Sequence, residues 1–320
     1  MQFLPGLKFL GLKKKERKEM LSISTAWNYK PEGQLENMLK EIKAVGLNTI
    51  ELGYRLTVKD LKELIPLLKE MKMQVSSVHN FCPLPDDAPS PRHPSNYYRL
   101  SAVENEERQE AVVWTKKAID TACLTNCFVV VIHAGAVELN NDPTEILRAY
   151  KAGHQTPTEF IRMRDEILQE REKNKGHFFE AIIKSLDEIT AYARQKRIML
   201  GLETRYYPTE IPNFEEIEYL LKRYDPSVMG YWHDVGHAEV NVRLGIVESH
   251  QDYFDRYAKR LIGMHIHGVQ GLKDHQAPFA GDFDLKPILP YLKKEVIRVI
   301  ESHSYASPKE IQDAVKKLNG

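Results

Sequence analysis

Short runs of mostly β-branched apolar residues recur along this chain. Each is followed by a longer stretch whose apolar positions return every three or four residues. The first period belongs to strands and the second to helices with one buried face. Eight strands are predicted: LSISTAW (21–27), NTIELG (48–53), QVSSVHN (74–80), FVVVIHAG (128–135), IMLGLET (198–204), VMGYWHDVG (228–236), LIGMHIHG (261–268) and VIRVIESH (296–303). Among the helical stretches, PEGQLENMLKEIKAVG opens near Pro31 and closes on Gly46, the usual asymmetry of helix ends. TVKDLKELIPLLKEMK carries Pro66, which predicts a kink or an early stop. ENEERQEAVVWTKKAIDTACL starts acidic, as the helix dipole prefers, and NFEEIEYLLKRY, DLKPILPYLKK and PKEIQDAVKKLN serve the later strands.

Strand–helix alternation calls for parallel strands, and eight repeats in 320 residues point to an α/β fold closed as a single (β/α)8 barrel. No GxGxxG follows the first strand and no Walker loop occurs, so open nucleotide-binding sheets lack their signatures. One interruption, residues 136–180, is too long for a simple connection and predicts a partly helical excursion after strand four. No Gly/Ser-rich linker divides the chain, so residues 21–320 are expected to form one catalytic barrel domain behind a basic N-terminal extension, residues 1–20.

Composition narrows the function classes. Lys plus Arg equals Asp plus Glu, 45 each, so there is no overall basic excess for duplex phosphates. Cys82, Cys123 and Cys127 are too few and odd in number for a disulfide framework, and they read as small thiols rather than a metal site. The N-terminal apolar patch precedes its basic run, the reverse of a secretory signal, and no apolar stretch is long enough to span a bilayer. A cytoplasmic protein is expected.

Barrel chemistry sits where strands end. Here those ends carry Glu51, His79, His133, Glu203, Asp234, His265 and Glu301, seven ionisable residues on seven of eight strands. Period-two alternation puts Met199, Gly201 and Glu203 on one face, and likewise Gly230, Trp232 and Asp234. It aligns Gly263, His265 and His267, and also Val299, Glu301 and His303, while His233 points outward to the helices. Carboxylates and imidazoles pooled in a barrel mouth are costly unless something neutralises them. A divalent cation does so, and a mixed O/N shell suits Mn²⁺, Mg²⁺, Co²⁺ or Zn²⁺.

In chain order, VVVIHAG, LGLET, HDVGH, GMHIHG and VIRVIES, with RLSAVENEERQEAV leading into helix three, resemble the motifs of the xylose isomerase-like barrels. That family comprises sugar isomerases and epimerases together with type IV AP endonucleases. The resemblance runs from about residue 21 to the end. It implies one divalent metal held by Glu203, Asp234, His265 and Glu301, with Glu203 and Glu301 doubling as the acid–base pair of an isomerase. It further implies that His237 binds a substrate oxygen, that His79 and His133 line the other side, and that Glu51 and Arg205 contact sugar hydroxyls. His267 is also expected among the substrate contacts, although family isomerases often have Lys there.

The nuclease members use more histidines and an Asp-x-His pair after strand seven. This chain has Gln276 two residues after Asp274, so the histidine of that pattern is missing there, and the adjacent His275 substitutes only with a shift. A non-catalytic metal- or sugar-binding barrel is the third reading; the intact Glu203–Glu301 pair favours the enzyme, since a binder needs no such pair. The expected partner is a small sugar or polyol-derived molecule, with neither nucleic acid nor membrane, and self-association is left open. Trp27 reads as a core aromatic, and His93, His154, His177 and His250 as surface or lid residues. The Pro-rich stretch 80–100 is expected to cover the site.

Overall fold

The computed structural model describes residues 21–30, 34–87, 97–153 and 157–319. Eight strands close into a barrel: β1 (Leu21–Ser24), β2 (Thr49–Leu52), β3 (Gln74–His79), β4 (Val129–Ile132), β5 (Met199–Glu203), β6 (Met229–Asp234), β7 (Leu261–Ile266) and β8 (Ile297–Ile300). Each lies beside its neighbours in sequence, β1 pairs with β8, and every barrel pairing is parallel. The basic extension, Pro31–Gly33 and the Pro-rich tip with His93 lie outside the described residues, as does His154.

The helices are α1 (Leu35–Ala44), α2 (Val58–Glu70), α3 (Asn105–Leu124), α4 (Glu145–Ala152), α5 (Pro157–Lys196), α6 (Phe214–Arg223), α7 (Val235–Arg243), α8 (His250–Tyr257) and α9 (Pro308–Asn319). α2 starts at a reciprocal Thr57–Asp60 capping box and runs through Pro66 to Glu70, so the expected stop does not occur. DLKPILPYLKK forms only a short 3₁₀ turn, Leu289–Tyr291. Pro287 and Pro290 lie three apart there, and each removes a helical donor. The excursion is helical: α4, then the forty-residue α5, whose C-terminal part packs on α3 as the fourth outer helix. Ile146, Leu147 and Ile167 from its first part form a small apolar cluster with Val240 and Leu244 of α7 and with Leu272. The excursion thus lies over the strand C-terminal end.

Most apolar side chains fill the shell between barrel and helices. A second cluster fills the barrel itself: Val129, Val131, Met199, Trp232, Ile262, Ile297 and Val299. Trp232 spreads over two glycines. A Cβ on Gly263 would stand 2.0 Å from its Cζ3, and one on Gly201 2.9 Å from its Cε3. The absence of a side chain at Gly201 of β5 and at Gly263 of β7 is what makes room for the indole. Among the described residues no helix is long and apolar enough to cross a membrane.

Candidate active site

Directly above Trp232 the inward alternation brings up Glu203, Asp234, His265 and Glu301, one each from β5 to β7 and the end of β8. The His265 ring meets the indole edge-on at 5.1 Å. Its Nδ1 lies 2.8 Å from Glu203 Oε1, 3.0 Å from Glu301 Oε2 and 3.4 Å from Asp234 Oδ2. One ligand atom from each of the four falls within 4.8 Å of all the others, and all four residues are buried. Three carboxylates and one imidazole converging on one point fit a divalent cation, whose bonds of about 2.0–2.6 Å span that distance.

Asp234 and Glu203 are held from behind. Asp234 caps α7: its Oδ1 accepts the backbone N–H of His237 at 2.7 Å. The same oxygen lies 3.1 Å from His267 Nε2. His267 Nδ1 accepts the His275 backbone N–H at 2.9 Å, so its ring proton sits on Nε2 and points at Asp234. Oδ2, 3.2 Å from the same His267 nitrogen, is the oxygen that faces His265. Glu203 Oε2 takes Arg205 Nη1 at 3.0 Å and lies 2.5 Å from His133 Nε2. The other arm of Arg205 reaches Glu210 at 2.5 Å.

Burial pushes every carboxyl here upward, but not equally. His133 and His265 outweigh burial at Glu203 and hold it well below its usual range. His237 and His267 do the same for Asp234. At Glu301 burial prevails over His265, and with Glu51, Glu203 and Asp234 nearby its carboxyl is held well above the ordinary value. The two glutamates of the expected acid–base pair are therefore shifted in opposite directions.

A cavity of about 350 Å³ opens over the cluster, and Glu203 and Glu301 line it with His79, His133, His237, Arg205 and His303. Lys151 of α4 lines it as well, so the excursion contributes to the mouth. Two of the expected substrate contacts are elsewhere. Glu51 is fully buried behind His265, and His267 is fully buried behind Asp234; neither lines the cavity. Arg205 does line it, but its guanidinium is engaged by two carboxylates. His237 stands in the first turn of α7, not on a loop, because Asp234 starts the helix at Val235. His250, expected at the surface, is buried: its Nδ1 lies 3.1 Å from His233 Nε2 and its Nε2 3.2 Å from Glu239. His177 is exposed. Trp27 is buried and donates to the Ala306 carbonyl at 2.8 Å.

Tyr54, Tyr206, Tyr207, Glu210, Lys273, Asp274 and His275 also line the cavity without having been singled out as contacts. They lie on connections, where no period marks an inward side chain. His275 is the most telling. Its backbone adopts a positive φ of 54°, which turns a buried ring into the cavity wall. His237 Nδ1 bonds the Thr204 carbonyl at 2.9 Å and His275 Nδ1 the Glu301 carbonyl at 2.8 Å. A carbonyl only accepts, so both rings carry a proton on Nδ1, and each turns its Nε2 toward Asp274 Oδ2, at 3.6 and 3.5 Å. His237, Asp274 and His275 form a second ligand group, and His79, His133 and Glu203 a third.

The family model for xylose isomerase-like TIM barrels matches residues 39–319. The chain belongs to that family. No curated protein matches it significantly. Solved structures similar in fold include a D-tagatose 3-epimerase-like protein (17% identity, TM-score 0.62, covering 94% of this chain and 96% of that one). A second is the 3-keto-D-glucoside 4-epimerase of E. coli (15%, TM-score 0.63, 94% and 99%). A third is the D-psicose 3-epimerase of Clostridium cellulolyticum H10 (12%, TM-score 0.65, 94% and 98%).

Proposed function

We propose that this protein is a divalent-metal-dependent sugar isomerase or epimerase that moves a proton next to a carbonyl. The observation that carries the reading is the Glu203–Glu301 pair. The two stand on non-adjacent strands, β5 and β8, yet meet at one cluster beneath a cavity. Glu203, Asp234, His265 and Glu301 would hold the cation, which would supply Lewis-acid polarisation of the substrate carbonyl. Glu203, ionised, removes the proton from the carbon beside the carbonyl and leaves an enediolate. Glu301, whose burial among other carboxylates favours its acid form, would return a proton from the opposite side. Delivery to the same carbon inverts it; delivery to the neighbouring carbon, with the hydroxyl proton passing from one oxygen to the other, interconverts aldose and ketose. Arg205 and His133 keep Glu203 charged and aimed, and His237 holds a substrate oxygen.

Incubating ketoses and aldoses with the protein and Mn²⁺ or Co²⁺ should give the C3 epimer or the aldose–ketose isomer. Glu203→Gln and Glu301→Gln should each lower turnover by about 10²–10⁴-fold, the usual worth of a positioned acid or base. Variants that kept full turnover would sink the two-base reading.

A specific observation favours a second reading, a nuclease of the type IV AP endonuclease class. His275, brought inward by its positive φ, supplies the histidine that the Asp-x-His spacing places one residue later. Metal content separates the two: one ion per chain supports the isomerase. Three ions, together with incision of an abasic duplex at catalytic enzyme levels, would replace it.

A further inference from the structure

We propose that Glu51 is a positioning residue for the cation site, acting through His265 by fixing which ring nitrogen faces the carboxylates. The inference rests on the cation assigned above, but not on the sugar reaction.

Six histidines belong to the candidate ligand groups: His79, His133, His237, His265, His267 and His275. His79, His237 and His275 each place their other nitrogen on a backbone carbonyl, of Asn80, Thr204 and Glu301 respectively. His265 is different. Its Nε2 meets a side-chain carboxylate, Glu51 Oε2, at 3.1 Å. It is also the ligand that offers Nδ1 rather than Nε2 to its cluster. A neutral imidazole has one proton, and cation binding at Nδ1 requires that proton on Nε2. Glu51 is the acceptor that keeps it there.

The carboxylate is itself well defined. Ser77 Oγ donates to the same Oε2 at 2.7 Å, so that oxygen faces two donors and must accept from both. Oε1 is buried with no hydrogen-bond partner among the described residues. Glu51 is fully buried on β2 and absent from the cavity wall, so it has no access to substrate. A buried carboxylate is costly unless its partners compensate it. Here the partner is a candidate ligand, and a carboxylate behind a ligating imidazole makes the imidazole a stronger base toward the cation.

Glu51→Gln tests the charge by itself. The amide oxygen can replace Oε2 toward His265 and Ser77, and the amide nitrogen takes the place of the unpartnered Oε1. Titration calorimetry with Mn²⁺ on the full chain should show affinity about 10–100-fold weaker than native, the usual effect of losing such a partner. Glu51→Asp, which keeps the charge but withdraws it by one methylene, should fall between the two. In the Zn²⁺-loaded native protein, ¹⁵N-resolved NMR should find His265 protonated on Nε2 and bare on Nδ1. A folded Glu51→Gln variant binding Mn²⁺ within about twofold of native, or a His265 proton on Nδ1 in the loaded protein, overturns the proposal. If the native chain binds neither Mn²⁺ nor Zn²⁺, both the cation site and this role for Glu51 are wrong. A native chain that binds Mn²⁺, loses that affinity with Glu51→Gln and yet converts no sugar upholds Glu51 while refuting the isomerase.

Discussion

A single methyl group at Gly263 decides whether the floor of the site can exist. With Trp232 Cζ3 only 2.0 Å from where the new Cβ would stand, Gly263→Ala forces the indole out of its place. The expected loss is about 3 kcal/mol or more in urea unfolding, at the upper end of overpacking effects. Trp232→Ala should cost about 3–5 kcal/mol by the cavity it leaves. Combined with it, Gly263→Ala should cost far less than on its own, because the clash is gone. The cysteines make a second test. Burial pushes the Cys127 thiol up to about 12, so its proton stays on through neutral and mildly alkaline pH. Cys82 is buried and raised likewise, while Cys123 is exposed. A thiol reagent at pH 8 should therefore label one cysteine in the native protein and three after unfolding. Labelling of Cys127 in the folded chain would contradict the placement of β4.

At the scale of elements, the long helix α5 is tied to the connection that carries Arg205 and Glu210. Buried Arg171 of α5 forks onto Glu216 at 2.8 and 2.7 Å and onto the Glu210 carbonyl at 2.9 Å. Glu216 in turn closes the capping box of α6 with Asn213. Arg171→Met strands a buried carboxylate and should lower stability by about 3–5 kcal/mol, read from the urea midpoint. Asn213→Ala, which removes only the cap, should cost about 1 kcal/mol. Strands were legible because alternation is a local property: LGLE and YWHD carry their inner faces in their own letters. Connections were not. The stretch after Asp234 reads like a continued apolar strand, yet Asp234 accepts the His237 N–H and starts α7. That choice depends on an acid needing a donor within a closed barrel.

Across the whole molecule, cation binding and folding should be linked, since the four proposed ligands come from four strands and assemble only in the closed barrel. Mn²⁺ at about one hundred times its Kd should stabilise the native state by about 2.7 kcal/mol, and EDTA should remove both that gain and the turnover, measured by calorimetry and sugar conversion. The order of the eight strands and the inward parity of Glu203, Asp234 and Glu301 were determined by the sequence alone, because side-chain period and chain order are written residue by residue. Which polar groups face the cavity and which stand behind it was decided only by the tertiary structure. Glu51 ends its strand much as Glu203 ends its own, yet Glu51 is sealed behind His265. His275, in a connection without any period, is turned into the cavity wall by one positive φ. Depth in a closed barrel depends on how neighbouring strands are staggered and on where a loop returns, and neither is a property of any single segment.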